Sequence, residues 1–241
     1  MKIIKSLIFF TAYFFLSLIA SFIIIFLSRF GLDKICYKIF KLWGKFIFKL
    51  SGSTYEFFGL EKLDKNELYV FCPNHTSSFD IYLLSAYLPF KFSWISKIEY
   101  LKLPIIGKAM RSLNFIGIDR TNPKKAFATI KKAVEIMNQK KMSVVIFPEG
   151  TRSRDGKLQE FKRGSLMLAV EAQKKIVPVT IIGNYEIQPK NSFWINKSNV
   201  RVYFSDPIDP PQKNKESQLA VLQKIYNEIK QQIDKYSNIK N

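Results

Sequence analysis

The sequence is poor in the residues that build metal sites and disulfide frameworks. Its 241 residues include one histidine, His75, and two cysteines, Cys36 and Cys72. Two scattered cysteines cannot form a disulfide framework, and with a single histidine they do not supply the ligand set of a usual zinc site. Cys72 lies in an apolar segment typical of a buried strand, so we expect both thiols to be reduced in a cytoplasmic compartment. No metal and no cofactor is expected.

Acidic residues are also scarce. The chain has 19 Asp and Glu against 38 Lys and Arg, which gives a net charge of +19. That balance favours an anionic partner, either nucleic acid or an acidic membrane surface with acidic ligands. Aromatic residues make up 15% of the chain, with 22 Phe, which is unusual for a soluble nucleic-acid-binding protein. A basic and strongly apolar chain without a nucleic-acid motif fits a membrane surface better.

A long uncharged run lies near the N-terminus. The 23 residues from 6 to 28 carry no charge. As a helix they would span roughly 34 Å, enough to cross a hydrocarbon core of about 30 Å. A cleavable signal peptide is the alternative, but the run exceeds the usual apolar region of roughly 7–15 residues and no clear A-x-A site follows. Whether the helix spans the bilayer or enters one leaflet stays open.

The next segment, residues 34–50, has the pattern of a basic amphipathic helix. Its lysines recur every three or four residues, whereas apolar residues occupy the other side: Lys34, Lys38, Lys41, Lys45 and Lys49 against Ile35, Ile39, Leu42, Trp43 and Phe46. Such a helix suits an interface with anionic headgroups; packing on its own domain is the alternative. Because basic residues are denser after the apolar run than before it, the positive-inside rule predicts that the bulk of the chain is cytoplasmic.

From about residue 51 the pattern changes to alternating strands and helices. Short β-branched or aromatic runs predict strands at 68–72, 92–96, 113–118, 143–147, 176–183 and 200–205. Helices are predicted between them, and a final helix follows the polar segment 206–216. No internal repeat and no low-complexity tract is present. The sequence predicts an α/β domain over 51–241, a mixed sheet flanked by helices, with residues 1–50 as an N-terminal membrane-associated helical module.

Polar residues collect in three segments that follow predicted strands: 73–80, 119–122 and 148–156. In open α/β sheets ligands bind at the carboxyl ends of the strands, so we expect these loops to converge on one site. In the first, an aspartate could accept a hydrogen bond from one nitrogen of His75, leaving the other to take a proton; Asp80 is placed for this. The alternative is an ordinary turn with a capping carboxylate. A Ser-His-Asp hydrolase using Ser77 or Ser78 is disfavoured, because no G-x-S-x-G elbow is present.

The third segment, within FPEGTRSRDG, combines several groups that bind anions. Gly150 permits a tight backbone, whereas Glu149, Thr151 and Arg152 supply an acceptor, a hydroxyl group and a forked cation. Arg120 stands at the end of another predicted strand. A plain surface loop is the alternative, but two arginines at converging strand ends indicate an anionic, phosphate-bearing substrate.

Together these motifs resemble those of the glycerolipid acyltransferase family typified by lysophosphatidic acid acyltransferase. The matching positions are Asn74, His75 and Asp80 (NHxxxxD), Arg120 (a strand-ending arginine, with an extra residue pair in FIGIDR), 147–153 (FPEGTRS) and 177–179 (VPV). NHxxxxD alone is a weak signal, but FPEGTRS downstream of it is specific. The resemblance covers roughly residues 50–210 of the chain.

The resemblance implies an enzyme that transfers an acyl group from acyl-CoA or acyl carrier protein to 1-acyl-glycerol-3-phosphate, making phosphatidic acid for phospholipid biosynthesis. His75 would be the base and Asp80 its orienting partner, without an enzyme nucleophile. The acceptor would be bound by Arg120, Arg152 and, less directly, Lys97. Glu149, with Gly150 and Thr151 beside it, would hold the acceptor or support the loop.

The same resemblance implies membrane lipids as partners, with anionic phospholipids attracted by the basic helix. The catalytic domain would lie on the cytoplasmic face of the cell membrane. Two alternatives stay open: an acyltransferase acting on another lysolipid, glycerol-3-phosphate or an ornithine-type lipid, and a non-enzymatic, membrane-anchored basic binding protein.

Overall fold

The N-terminal apolar run forms one long helix, and a second helix follows it after a tight turn. The structure is a computed structural model and describes residues 2–119 and 123–240. Helix α1 covers Lys2–Ser28 and α2 covers Asp33–Leu50, with a left-handed turn between them at Gly31, whose φ is +68°. Helix α1 is long and apolar enough to cross a membrane on length and composition. The choice between spanning and lying in one leaflet therefore depends on its contacts.

Strands and helices alternate through the rest of the described chain. The strands are β1 Thr54–Phe58, β2 Val70–Pro73, β3 Phe92–Lys97, β4 Ile116–Ile118, β5 Ser143–Val145, β6 Ile176–Ile182 and β7 Asn199–Phe204. The remaining helices are α3 Phe79–Tyr87, α4 Ile98–Lys102, α5 Ile106–Ser112, α6 Pro123–Lys140, α7 Met167–Ala172, α8 Asn184–Ile187 and α9 Lys215–Lys240. Short 3₁₀ turns occur at Leu60–Lys62 and Arg163–Leu166.

The strands form one mixed sheet in the order β1-β7-β6-β2-β5-β3-β4. Neighbouring strands are parallel except β6 and β7, which pair antiparallel. Strand β2 lies between β5 and β6, so the loops that follow these three strands leave the sheet side by side at one edge. The predicted mixed α/β sheet flanked by helices is confirmed.

Each face of the sheet is covered by its own apolar core. Successive residues of a strand point to opposite faces. Accordingly, Phe71 joins a core with residues of α2 and α3, whereas Val70 and Cys72 join a second core with residues of α6 and α9. All three are fully buried, so β2 is covered on both faces. This burial holds the loop after β2 on a rigid base.

Helix α2 has three distinct faces. Its buried face packs on α3, and the helices approach so closely that a Cβ at Gly44 would lie 2.9 Å from the backbone oxygen of Tyr82. A second face exposes apolar side chains: Ile35, Leu42, Phe46 and Leu50. The third carries the predicted lysines, all exposed except half-buried Lys41, which donates to Leu88 O at 2.9 Å. Lys41 therefore caps the end of α3 and does not belong to the row of exposed lysines on α2.

Two strand predictions were incomplete. Strand β1 was missed, because its largely exposed residues lack a clear apolar alternation and it is fixed by parallel pairing with β7, far away in sequence. The run 113–118 forms a strand only from Ile116. Before it, Leu113 and Phe115 donate to carbonyls of α5, and Asn114 has a φ of +62°, so these residues end a helix instead of starting a strand.

Candidate active site

A side-chain amide fixes the point at which the chain leaves β2. The Nδ2 group of Asn74 donates to Ile181 O at 3.0 Å, and its Oδ1 accepts from Ile181 N at 2.7 Å. The backbone N–H of Asn74 also donates to Val179 O at 3.3 Å. These bonds extend the pairing of β2 with β6 by one residue. His75 therefore begins its loop from a rigid position at the carboxyl edge of the sheet.

His75 and Asp80 are in direct contact, as the spacing predicts. Nδ1 of His75 lies 2.8 Å from Oδ2 of Asp80, near the start of α3. The same oxygen accepts from the backbone N–H groups of Thr76 at 2.8 Å and Ser77 at 2.9 Å. Because this oxygen accepts from its other partners, we assign Nδ1 as the donor, which gives Nε2 the lone pair of the neutral ring. Asp80 thus organises the turn and orients the imidazole at once.

Asn184 holds the second oxygen of Asp80. It is the first residue of α8, it is fully buried, and its Nδ2 donates to Asp80 Oδ1 at 2.8 Å. The preceding Gly183 has a φ of +103°, and a Cβ there would lie 2.6 Å from Asn199 O. The loop is tied further by Ser77 Oγ, which donates to Gln188 O at 2.8 Å. Four donors therefore immobilise the Asp80 carboxylate.

Aromatic rings fix the plane of the imidazole. The ring of His75 stacks on Phe147 with centroids 3.6 Å apart and an interplanar angle of 11°. Phe147 in turn stacks on Trp94 at 5.4 Å and 17°. Phe147 is the first residue of FPEGTRS, so one role of that motif is to supply a flat apolar surface for the histidine ring.

Glu149 joins the two loops through the backbone. Its Oε1 accepts from the N–H of His75 at 2.6 Å, and its Oε2 accepts from Nε2 and N of Gln159 at 2.9 and 3.3 Å. Burial raises the pKa of Glu149 to about 7, although these donors oppose the shift. A second link runs from Ser153 N to His75 O at 2.8 Å. These bonds support the loop; binding of substrate by Glu149 stays a prediction.

The remaining residues of FPEGTRS bring a cation next to the histidine loop. Gly150 adopts a φ of +74°, which allows the sharp turn that Thr151 and Arg152 follow. Arg152 Nη1 donates to Ser78 Oγ at 2.7 Å. Lys190, from the loop after α8, donates to Thr151 Oγ1 at 3.1 Å and to Arg152 O at 3.0 Å. A guanidinium and an ammonium group therefore meet beside the histidine.

Of the other two predicted cations, the structure describes Lys97 alone. Lys97 is the last residue of β3 and is exposed. Arg120 lies outside the described residues, so its place in the site stays a prediction.

A cavity of about 500 Å³ lies beside the histidine loop. Its polar lining includes His75, Ser78, Lys97, Arg152 and Lys190, with Gly150 and Thr151 beside them; Ser17, Ser21, Ser96 and three tyrosines border it elsewhere. Its apolar lining is contributed by α1, α2, α5 and the segment before β4, and includes Ala20, Ile24, Phe40, Trp43, Ala109 and Phe115. The volume is in the range of pockets that hold small molecules. The predicted site residues that the structure describes thus border a cavity whose other side is apolar, except Asp80 and Glu149, which act from behind it.

A family model described as Acyltransferase matches residues 55–182, more than half of the chain. The chain belongs to the acyltransferase family. The resemblance predicted from NHxxxxD and FPEGTRS is therefore confirmed, and both motifs lie within the matched range.

Individual relatives of this acyltransferase-family chain have related names. It is 39% identical to a chloroplastic 1-acyl-sn-glycerol-3-phosphate acyltransferase of Arabidopsis thaliana, over 70% of this chain and 48% of that protein. The 1-acyl-sn-glycerol-3-phosphate acyltransferase of Helicobacter pylori is 34% identical over 57% of this chain and 58% of that one. The chain thus spans about half to three fifths of these two relatives. The crystal structure of the 1-acyl-sn-glycerophosphate acyltransferase of Thermotoga maritima superposes with a TM-score of 0.81 at 26% identity, covering 98% of this chain and 96% of that one.

Sequence reasoning missed three polar residues of the candidate site: Gln159, Asn184 and Lys190. Asn184 had a usable signal, because it directly follows a predicted strand that carries the VPV motif and ends at the same sheet edge. Gln159 and Lys190 had none, since each reaches its partner through an irregular loop whose course only the folded chain defines.

Proposed function

We propose that the protein transfers a fatty acyl group from an acyl thioester to the free hydroxyl of 1-acyl-glycerol-3-phosphate, making phosphatidic acid. The observation that carries this proposal is the lining of one cavity by His75, which Asp80 orients, by the cations Lys97, Arg152 and Lys190, and by an apolar surface. A base, a phosphate-binding group and room for an acyl chain are the three features that this reaction needs. The names of the relatives support the same substrate.

In the proposed step, Nε2 of His75 takes the proton of the acceptor hydroxyl while its oxygen attacks the thioester carbonyl. The C–S bond then breaks, and the thiolate leaves with the proton that His75 returns. Asp80 stabilises the imidazolium through Nδ1, and its own four hydrogen bonds prevent it from turning away. The step needs no enzyme nucleophile, because the base and the two substrates balance all atoms.

The acceptor phosphate is bound by Arg152 in this proposal. Its guanidinium bonds Ser78 Oγ, the residue that precedes α3, and borders the same cavity as His75. A guanidinium presents several N–H donors in a plane and matches phosphate oxygens in pairs. Lys97 adds charge at the end of β3, and Arg120 stays a predicted contributor.

An acyl chain fits the apolar lining. Ala20 and Ile24 of α1, Phe40 and Trp43 of α2, and Ala109 of α5 offer no unpaired polar group, since Trp43 Nε1 already donates to Ser17 Oγ at 3.0 Å. Burial of each methylene in such a surface is worth about 0.8 kcal/mol. The N-terminal helices thus become part of the substrate site.

The contacts of α1 favour a position within one leaflet. Near its start, Lys5 donates to Ser51 O at 2.8 Å and Ser6 Oγ accepts from Ile195 N at 3.1 Å. At its end, Ser28 Oγ lies 2.9 Å from Ser112 Oγ. The helix is roughly 40 Å long, and both of its ends contact the α/β domain. It therefore cannot cross a bilayer, because the domain would have to lie on both sides of the membrane.

The exposed apolar surface defines the proposed membrane side. Helix α1 exposes a row of large side chains: Ile4, Ile8, Phe15, Ile19, Phe22 and Phe26. The loop before β7 adds Phe193 and Trp194, and Phe193 stacks on Phe10 of α1 at 5.2 Å. The solvated lysines of α2 would reach anionic headgroups beside this surface, with the catalytic domain on the cytoplasmic face.

The proposed function is tested with membranes containing the full chain. They are incubated with lysophosphatidic acid and labelled acyl-CoA or acyl-loaded acyl carrier protein, in parallel with His75→Ala. We expect phosphatidic acid from the wild type and a loss of at least about a hundredfold in the variant, because a general base contributes that much or more. Equal product from both would refute the mechanism. Product only from another acceptor would refute the proposed substrate. Comparing acyl-CoA with acyl-loaded acyl carrier protein shows which of the two thioesters the protein uses.

A further inference from the structure

Three cations border the polar lining, and a fourth, Arg154, lies near enough to one of them to act on its charge. They are Lys97, Arg152, Arg154 and Lys190, and no carboxylate of residues 2–119 and 123–240 lies within 4.0 Å of any of them. Burial lowers the pKa of Lys190, and the charges of Arg154, Arg152 and Lys97 lower it further. Like charges held this close repel one another, so the cluster is stabilised when an anion binds.

Lys190 is held in place beside the phosphate-binding motif. Its bonds to Thr151 Oγ1 and Arg152 O use two of its three N–H donors, and among the described residues the third has no hydrogen-bond partner. The ammonium group borders the same cavity as His75 and Arg152. Its loop is anchored at the other end by Gln188 Nε2, which donates to Ser192 O at 3.1 Å. A lysine held in this way has lost most of its rotamer freedom before a ligand arrives.

We propose that Lys190 is a further ligand of the acceptor phosphate and acts together with Arg152. The assignment rests on the proposed function. A phosphate monoester carries close to two negative charges and three acceptor oxygens, more than a single guanidinium neutralises. The phosphate must also stay within reach of His75 when the acceptor hydroxyl meets Nε2, which the shared cavity allows. The phosphates of a nucleotide-bearing donor lie at the far end of a long arm and do not share this restriction.

The test compares Lys190→Ala and Lys190→Arg with Lys197→Ala in purified full-length protein in lipid nanodiscs. Lys197 is an exposed lysine further along the same loop and serves as the matched control. KM and kcat are measured for lysophosphatidic acid, for monoacylglycerol, which lacks the phosphate, and for the acyl donor. We expect Lys190→Ala to raise KM for lysophosphatidic acid about tenfold with kcat within about twofold. Monoacylglycerol and donor kinetics should not change, and Lys190→Arg and Lys197→Ala should resemble the wild type.

Each contrary result has a distinct meaning. An unchanged KM for lysophosphatidic acid in Lys190→Ala would overturn the assignment while the proposed function stands. A raised KM for the donor alone would indicate that Lys190 binds the donor phosphates, and would also overturn the assignment. A fall in kcat without a change in KM, shared by Lys190→Arg, would show that Lys190 only supports the FPEGTRS loop.

A wild type that does not acylate lysophosphatidic acid would refute the proposed function separately. The Lys190 assignment is then judged by binding, with sn-glycerol 3-phosphate as the probe and glycerol as its phosphate-free control. We expect glycerol 3-phosphate to raise Tm in the wild type and in Lys197→Ala but not in Lys190→Ala. An equal rise in all three proteins would overturn the assignment.

Discussion

The two linings of the cavity are built in opposite ways. The polar lining comes from loops at strand ends, and its side chains are fixed by directed bonds, such as the 2.8 Å contact of His75 with Asp80 and the 2.7 Å bond of Arg152 to Ser78. The apolar lining comes from packed helices, where Ala20 and Ala109 contribute shape and no bond. The first requires particular atoms at particular points, whereas the second requires only volume. We therefore expect changes to the polar lining to affect chemistry, and changes to the apolar lining to affect the choice of acyl chain.

The largest effect is expected at Asp80, and two substitutions separate charge from structure. In Asp80→Asn the amide oxygen can still accept from His75, Thr76 and Ser77. Its N–H can donate to Oδ1 of Asn184 after that amide rotates, an atom that has no hydrogen-bond partner among the described residues. We expect kcat to fall on the order of a thousandfold, because the imidazolium loses its counter-charge, while Tm hardly changes.

Asp80→Ala is the contrasting variant. It leaves several buried donors without acceptors, at about 1–3 kcal/mol each, so Tm should fall sharply as well. Thermal unfolding in nanodiscs and acyl transfer measured in parallel separate the two cases. Activity of Asp80→Asn within tenfold of the wild type would show that the charge of Asp80 is not needed.

A smaller effect is expected at Asn184, which acts on the base only through Asp80. Asn184→Ala removes the donor to Asp80 Oδ1 and allows the carboxylate to turn. We expect kcat to fall about tenfold with the acceptor KM unchanged, because binding groups are untouched. Asn196→Ala, which removes an exposed hydrogen bond from the loop after α8 to Glu186 O, is the control and should be neutral. A change confined to KM would contradict the positioning role.

Much of the polar lining could be predicted because its residues are close in sequence. His75 and Asp80 lie on one turn, and FPEGTRS is a continuous segment after a recognisable strand. The sheet edge that unites them follows from parallel pairing, which alternating strands and helices predict. The mixed sheet was predicted for the same reason.

The rest depends on contacts between distant segments. Asn184 reaches Asp80 across 104 positions and Lys190 reaches Thr151 across 39, through loops without periodicity. The apolar lining joins α1 to α5 by packing, and an apolar helix has the same sequence pattern whether it faces lipid, a core or a substrate. Only the folded chain distinguishes these environments.

The apolar lining is tested by filling it. Ala109 is 4% exposed and borders the cavity from α5, so Ala109→Leu should shorten the space for an acyl chain. We expect kcat/KM for the longest acyl donors to fall about tenfold while short donors are used as before, since a few lost methylene contacts suffice for that ratio. Ala128→Leu, on the exposed side of α6, is the matched control. An equal loss for all chain lengths would show that the site was distorted and not shortened.

The smallest effect concerns Glu149, which holds the two loops together from behind the polar lining. Its pKa is raised to about 7 in the folded protein, from an ordinary value near 4.5, because it is buried. Between these values the folded state keeps a proton that the unfolded state has lost, so stability falls as pH rises from about 4.5 to 7 and stays reduced above that.

Glu149→Gln removes this contribution. We therefore expect the Tm difference, variant minus wild type, to increase by a few degrees between pH 5 and pH 7 and to be constant above pH 8. The Tm difference at pH 5 already includes the effect of altered hydrogen bonding to Gln159. Only the change of the Tm difference with pH therefore measures the titration of the carboxyl group. A flat difference across this range would show that the three donors outweigh burial and keep the carboxylate ionised throughout.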